Sequence, residues 1–299
     1  MKKNTKPRPI LILGSQGNLG SQIVKILREQ NQTIVAWTRY DCNLFNAFEI
    51  EQKITQLYPA VVINTVAYNA VDACENQLSE QELAISLNCQ LPAYLAQICH
   101  KIKAKLVHFS SNYVFSDNKT FYSETEQTNP INFYGLTKAQ GEKAILSYKN
   151  TAFDFCILRV ANLFGPLGTG QSSKPSFFDS IKDGAQKRDM LDVVADEKCC
   201  FTYTKDIATV LSHVLYEKSF YGIYHLINSG PALSWFDAAT LYFDVIKEKT
   251  ILQPICSTAF NRPATRPKTA VLVSTRSSLP TMRSFEHALI DYIQEISAD

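Results

Sequence analysis

The stretch Pro9-Ile-Leu-Ile-Leu13-Gly14-Ser-Gln-Gly17-Asn-Leu-Gly20 decides the fold. Its first five residues read as a fully buried strand, and beyond the glycines the apolar positions Leu19, Ile23, Ile26 and Leu27 recur at helical spacing. Strand, glycine turn and helix in that order form the opening of a dinucleotide-binding unit. Glycine permits the tight turn and lets the backbone come close to a diphosphate, while the free N–H groups of the helix N-terminus face the phosphates. A purely structural turn would use the same glycines; their place directly after the first strand favours the nucleotide reading. The expected cofactor contacts here are Gly14, Gln16, Gly17, Asn18, Leu19 and Gly20.

Working outward, a second strand from Thr33 to Trp37 ends in Thr38-Arg39-Tyr40-Asp41. At this position an acidic side chain takes the adenosine ribose hydroxyls and a basic one accepts a 2'-phosphate. Thr38 and Arg39 point to NADPH, with NADH as the alternative through Asp41. The strand Ala60-Val-Val-Ile63 leads into Asn64-Thr-Val-Ala67-Tyr68, a loop at the carboxyl end of a strand, where Asn64, Ala67 and Tyr68 are further expected cofactor contacts. His108 lies inside the strand Leu106-Val-His-Phe-Ser110 and reads as a core or edge histidine.

That strand delivers Ser110-Ser111-Asn112-Tyr113, and a hydroxyl at its end is placed to bond a substrate carbonyl oxygen. Next comes Pro130-Ile-Asn-Phe-Tyr134-Gly-Leu-Thr-Lys138-Ala-Gln-Gly-Glu142, which sets a phenol and an ammonium one helical turn apart on one face. A free tyrosine titrates near ~10, so a neighbouring positive charge is expected to lower it into a useful range. From Pro166 the pattern changes: Gly168 to Pro175 is a polar Gly/Ser-rich loop, and helices and short strands then alternate less regularly. Residues 1–165 are expected to form the nucleotide-binding domain carrying the Tyr/Lys pair. Residues 166–299 are expected to form mainly a smaller substrate-binding cap, some of its segments returning to the main sheet.

Composition excludes several classes. The chain has 299 residues, 45% hydrophobic and 19% charged, and a net charge of +2 from 30 basic and 28 acidic side chains. That balance gives no basis for nucleic-acid or anionic-membrane binding. No apolar run reaches the length of a membrane span, and Ile10 to Leu13 is too short for a signal-peptide core. The eight cysteines form no C-x-x-C pair and read as reduced thiols of a cytoplasmic protein. Lys2, Lys3, Lys6 and Arg8 read as a solvated tail.

The G-x-x-G-x-x-G spacing resembles that of the short-chain dehydrogenase/reductase superfamily. Further stretches narrow the likeness to the dTDP-4-dehydrorhamnose reductase family: Asn64-Thr-Val-Ala-Tyr-Asn-Ala-Val-Asp72, Ser110-Ser-Asn-Tyr-Val-Phe115 with Glu124, and Asn129 to Glu142. Phe201 to Ala208, Gly222 to Gly230 with Ser234-Trp235, and Arg262-Pro-Ala-Thr-Arg-Pro267 extend it along nearly the whole chain. The resemblance implies a Rossmann-type doubly wound parallel α/β sheet, a nicotinamide cofactor, and reduction of the 4-keto group of a nucleotide-activated deoxysugar. It assigns Ser111, Tyr134 and Lys138 to catalysis, Lys138 also to the nicotinamide ribose, and Asn112, Tyr113 and Asn162 to the substrate. It further implies a homodimer.

This sequence departs from the family pattern on the substrate side. Ser111 replaces the common threonine, Asn112 an aspartate and Asn162 a tryptophan, and Val193 to Thr202 lacks the glycine and proline of D-Q-x-G-x-P-T. Gln22 stands where some members carry an ion-binding glutamate, so no metal is expected. Two other readings follow from the same residues: a reductase or epimerase of another nucleotide sugar, and a non-catalytic NADP-binding subunit like that of a methionine adenosyltransferase. Retention of Ser111, Tyr134 and Lys138 together argues against the last, because a binding module needs no proton donor.

Overall fold

The computed structural model describes residues 7–171 and 173–298; Lys2, Lys3 and Lys6 lie outside them. Strand β1 (Ile10–Leu13) is completely buried, with Ile10 and Ile12 facing one side of a sheet and Leu11 and Leu13 the other. That two-sided burial is what a parallel strand with helices on both faces requires. After β1 the chain forms α1 (Asn18–Glu29), β2 (Ile34–Trp37), α2 (Ala47–Leu57) and β3 (Val61–Asn64). There follow α3 (Leu91–Ile102), β4 (Lys105–Ser111), α4 (Phe133–Leu146) and β5 (Phe155–Val160).

The second half contributes α5 (Phe177–Ala185), β6 (Met190–Val194), α6 (Thr204–Val214), β7 (Gly222–His225), α7 (Trp235–Ile246), β8 (Ile251–Ile255) and α8 (Phe285–Ala298). Six strands form one parallel sheet in the order β7-β5-β4-β3-β1-β2. The chain reverses its direction of winding between β1 and β3, and the glycine turn leaves β1 at that point, where ligands of such sheets bind. On one face Ile23 and Leu27 of α1 join Ile207 and Leu211 of α6; on the other Ile50 and Ile54 of α2 join Leu91, Leu95 and Ile145.

The second half contributes to more than one core. Residues 204–225 return to the sheet, α6 covering α1 and β7 pairing with β5 in the register Gly222↔Cys156 to His225↔Arg159. Much of the rest encloses a separate aromatic core of Phe164, Phe178, Phe201, Tyr203, Tyr242 and Tyr292, in which the Phe164 and Tyr203 rings stack at 5.2 Å. Arg8 corrects the expectation of a solvated tail. Its guanidinium donates to the carbonyls of Pro59 at 2.6 Å and Ile102 at 3.1 Å and lies 3.9 Å over the Tyr58 ring, tying the entry to β1 to two helix ends.

A buried ion pair joins α4 to β5. Arg159 (2% exposed) donates from Nε and Nη2 to the two oxygens of Glu142 (1% exposed) at 3.0 and 2.7 Å. The Arg159 guanidinium also lies 4.9 Å over the Phe115 ring, so its apolar face is covered too. Removing one member strands the other charge in the interior, so Arg159→Met is expected to lower unfolding free energy by about 3–5 kcal/mol, whereas Arg159→Met with Glu142→Leu recovers most of the loss. Urea unfolding of the two variants checks this, and equal destabilisation by both would refute it.

Candidate active site

The site is built where β4 ends and α4 begins. Ser111 closes β4, and Asn132 caps α4 through its Oδ1, which accepts from Gly135 N at 2.8 Å. That cap starts the helix two residues before Tyr134 and so fixes which way the phenol projects. Ser111 Oγ donates to Asn112 Oδ1 at 3.3 Å and accepts from Tyr113 N at 3.2 Å, close enough to Tyr134 to act on its phenol. The Tyr113 ring meets the Tyr134 ring edge-on at 5.9 Å and 81°. One turn on, Lys138 is 2% exposed and its ammonium donates to the Phe109 carbonyl at 2.6 Å. The structure therefore brings Ser111, Tyr113, Tyr134 and Lys138 together.

The electrostatics differ from expectation in one respect. Burial pushes the Tyr134 phenol up to about 12, the neighbouring Ser111 hydroxyl pulling it back and the Cys74 thiol raising it. The lysine, expected to lower that value, instead directs its ammonium at a backbone carbonyl. Burial lowers Lys138 itself to about 8, opposed by the Glu142 carboxylate one turn further along α4. At neutral pH the site thus holds a protonated phenol and a buried ammonium.

The glycine turn fits a dinucleotide. The N-terminus of α1 has no side-chain cap and no acidic residue in its first turn, leaving its N–H groups suited to an anion. A Cβ on Gly20 would stand 2.1 Å from the Gly14 carbonyl oxygen, so only glycine lets α1 come this close to the turn. Gln16 and Asn18 also meet the polar loop from the second half of the chain. Gly170 N and Ser173 Oγ donate to the Gln16 carbonyl, each at 3.0 Å, and Asn18 accepts from Gly168 N and donates to the Lys174 carbonyl. Gly168 is required there, since its Cβ would lie 2.3 Å from the Gln16 oxygen. The Leu19 side chain is buried in the sheet core, so only its backbone faces the turn.

At the end of β2, Asp41 folds back so that one of its oxygens accepts from both Thr38 N and Thr38 Oγ1 at 2.7 Å, which holds its carboxyl below the usual range. Arg39 is exposed at the same corner. Beyond β3, Ala67 is exposed and the Tyr68 hydroxyl bonds Glu80. The Tyr68 backbone is clamped on both sides by Asn88, which accepts from its N–H and donates to its carbonyl, each at 2.9 Å, while also reaching Thr137 Oγ1 of α4 at 3.1 Å. Asn88 reaches them from the π-helical turn Ser86–Gln90, and nothing in the sequence marks that turn.

Three expected ligand contacts have side chains turned elsewhere. Asn64 is 0% exposed, its Oδ1 accepting from Val66 N and its Nδ2 meeting His108 Nδ1, so its amide serves the fold. Asn112 is 3% exposed and donates to the Ala270 carbonyl at 3.3 Å, which pins the end of β4 to the returning C-terminal segment. Asn162, at a positive φ of 33°, bonds the Cys199 thiol. In each case burial leaves a polar group that must find an internal partner.

Asp72 and Arg266, which in the sequence stand out only as members of family-like stretches, form a clasp across the site. Arg266 takes both Asp72 oxygens, and its charge acts on Tyr113, so a residue from the C-terminal part of the chain lies near the ring that meets Tyr134. A second arginine, Arg262, holds Glu197 at 2.9 and 3.1 Å and borders a cleft of about 710 Å³ lined by Phe177, Ile181, Val193, Trp235 and Phe260. The repeated Arg-Pro at 262 and 266 was the available signal. Among the described residues no group of three or more His, Cys, Asp or Glu side chains is arranged to hold a metal ion, and no helix is long and apolar enough to cross a membrane.

The family model described as the RmlD substrate binding domain matches residues 8–298. The chain is 32% identical over 294 residues to a probable dTDP-4,6-dihydroxy-2-methyloxan-3-one 4-ketoreductase of Streptomyces antibioticus, covering 96% of this chain and 95% of that protein. It is 32% identical over 293 residues to a dTDP-4-dehydrorhamnose reductase of Mycolicibacterium smegmatis, covering 96% and 85%. The crystal structure of dTDP-4-dehydrorhamnose reductase from Bacillus anthracis in complex with NADP is similar with a TM-score of 0.88 at 27% identity, over 97% of this chain and 100% of that one.

The buried ammonium has a stability signature. Lys138 falls from an ordinary 10.5 to about 8 on folding, so between those values the unfolded chain binds more protons and stability rises with pH. Below pH 8 the charged side chain costs stability, up to about 3 kcal/mol from a shift of this size. Lys138→Met is therefore expected to be more stable than wild type at pH 7, with the gap closing as pH rises toward 10. Urea unfolding at pH 7, 8.5 and 9.5 measures this, and a gap that stays constant would contradict the assignment.

Proposed function

The chain belongs to the RmlD substrate binding domain family, and from that premise we propose that it is an NADPH-dependent reductase of the 4-keto group of a dTDP-linked 6-deoxysugar, converting dTDP-4-dehydrorhamnose to dTDP-rhamnose. The observation that carries the reading is the placement of Ser111, at the end of β4, beside the Tyr134 phenol, with the buried Lys138 ammonium one helical turn on. When bound, NADPH supplies the hydride. Ser111 orients the ketone oxygen toward Tyr134, and Tyr134 gives that oxygen its proton. A phenol raised to about 12 is fully protonated at neutral pH, as a proton donor must be, and an alkoxide is a much stronger base than a phenolate. Transfer is therefore downhill without a lowered tyrosine pKa.

Lys138 contributes positive charge beneath the reacting atoms and is the residue to hold the nicotinamide ribose. Thr38 and Arg39 at the end of β2 support NADPH, and the uncapped N-terminus of α1 supports a diphosphate beside Gly17. The 710 Å³ cleft supports a nucleotide: its aromatic walls suit a base, and Arg262 at its border pairs with Glu197, whose charge acts on Tyr113. The reading extends to a cytoplasmic homodimer in polysaccharide precursor synthesis, and sedimentation velocity tests the dimer.

Purified protein is expected to oxidise NADPH, followed by its absorbance, only when dTDP-4-keto-6-deoxy-L-mannose is added. Tyr134→Phe should lower kcat at least about hundredfold while leaving the NADPH dissociation constant within threefold. Binding of NADPH without turnover of any keto sugar would replace this reading with that of a binding subunit.

A further inference from the structure

Behind Lys138 lies a group of buried polar atoms that the reaction above does not use. His108 and Ser110 are two residues apart on β4 and so point to the same face of the sheet. That face is the one covered by α4, because Leu106, of the same parity, packs in one core with Ile145. His108 is 0% exposed and Ser110 3%, and among the described residues neither His108 Nε2 nor Ser110 Oγ has a hydrogen-bond partner. Between them in the chain is Phe109, whose carbonyl receives the Lys138 ammonium at 2.6 Å. Two orphaned polar groups therefore flank the residue on which the lysine is anchored.

The tautomer of His108 follows from its neighbours. Val66 N donates to Asn64 Oδ1 at 3.1 Å, which fixes the orientation of the Asn64 amide. Its other end, Nδ2, is then the atom 3.1 Å from His108 Nδ1, and an amide nitrogen can only donate. Nδ1 is thus the acceptor, and in the neutral ring the proton sits on Nε2, as an unpaired donor in the interior. Burial and the Lys138 charge both disfavour the imidazolium.

We propose that His108 is a positioning residue for Lys138: held by Asn64 as the neutral Nε2–H tautomer, it and Ser110 Oγ bind one buried water molecule against the Lys138 ammonium. The ammonium has three donors and, among the described residues, a single hydrogen bond, to Phe109, and a water with a histidine donor and a serine hydroxyl beside it has the two to four partners such a site needs. A cationic or purely apolar side chain at 108 would either repel the ammonium or leave it under-solvated. The inference deepens the reductase reading and rests on it for its kinetic consequence, but the tautomer and the water site belong to the fold alone.

Two measurements test it on the full-length enzyme. In protein labelled with 15N-histidine at pH 7, with His108→Gln identifying the resonance, His108 is expected to show the Nε2–H tautomer; an Nδ1–H or imidazolium pattern would overturn the proposal whether or not the protein turns over a keto sugar. In the NADPH assay, His108→Leu is expected to lower kcat about tenfold with both KM values within twofold, and His108→Gln, which keeps an N–H near the Nε2 position, to restore at least half of the wild-type kcat. Unchanged kcat in His108→Leu, or His108→Gln as impaired as His108→Leu, would overturn it. Absence of turnover in the wild type sinks the reductase reading instead, leaving the tautomer measurement to decide this one.

Discussion

The contact on which the site depends is the one between the Lys138 ammonium and the Phe109 carbonyl. Strand β3 stops at Asn64, opposite His108, so β4 runs on past its neighbour and the Phe109 carbonyl lies just beyond the last paired residue. A lysine from α4 reaches that carbonyl and so locks helix to sheet at the point where backbone pairing with β3 ends. Because Tyr134 is one turn earlier on the same helix and Ser111 two residues later on the same strand, this bond sets their separation. The hydroxyl, phenol and ammonium are held by one strand end and one helix start, both rigid elements.

Holding a charge at this depth costs stability, and the surroundings limit that cost without cancelling it. Glu142 is the nearest carboxylate along α4, but it is already bidentate to Arg159. It can soften the loss of hydration at Lys138 but does not form a second ion pair with it. The ammonium therefore remains a partly compensated cation beneath the site, a useful place for one when the cofactor and the nucleotide sugar both bring negative charge. A fully paired lysine would be more stable and less able to stabilise the bound anions.

What the sequence disclosed was whatever depends on local spacing. The turn at Gly14 to Gly20, the two-sided strand β1 and the i, i+4 relation of Tyr134 and Lys138 are all set within a few residues, and each is legible without knowing what packs nearby. Direction of a side chain relative to distant elements is not. Asn64 and Asn112 follow their strands as ligand-facing residues would, yet His108 and Ala270, 44 and 158 residues away, turn them inward. Arg8 looked like a tail because the carbonyls that bind it, at Pro59 and Ile102, are far along the chain. The effect of Lys138 on Tyr134 was misjudged for another reason: sequence gives their spacing, whereas the pKa depends on burial, which acts on both groups and drives them in opposite directions.

The substrate side was the least legible because it is assembled by arginines from the end of the chain. Arg266 reaches Asp72 and Arg262 reaches Glu197, so each carboxylate near Tyr113 has its own guanidinium. Glu197 occupies the glutamine position of the family's D-Q-x-G-x-P-T pattern, and an unpaired carboxylate there would repel a sugar nucleotide diphosphate. Arg262, which belongs to a stretch the chain shares with the family, pairs with it. Cys199 takes the place of the pattern's glycine, and its thiol accepts the amide of Asn162, which stands where the family commonly has tryptophan. Two of the departures, Cys199 and Asn162, are thus coupled. Coupling of this kind changes residues outside β4 and α4 and leaves Ser111, Tyr134 and Lys138, fixed by those two elements, in the same relation to one another.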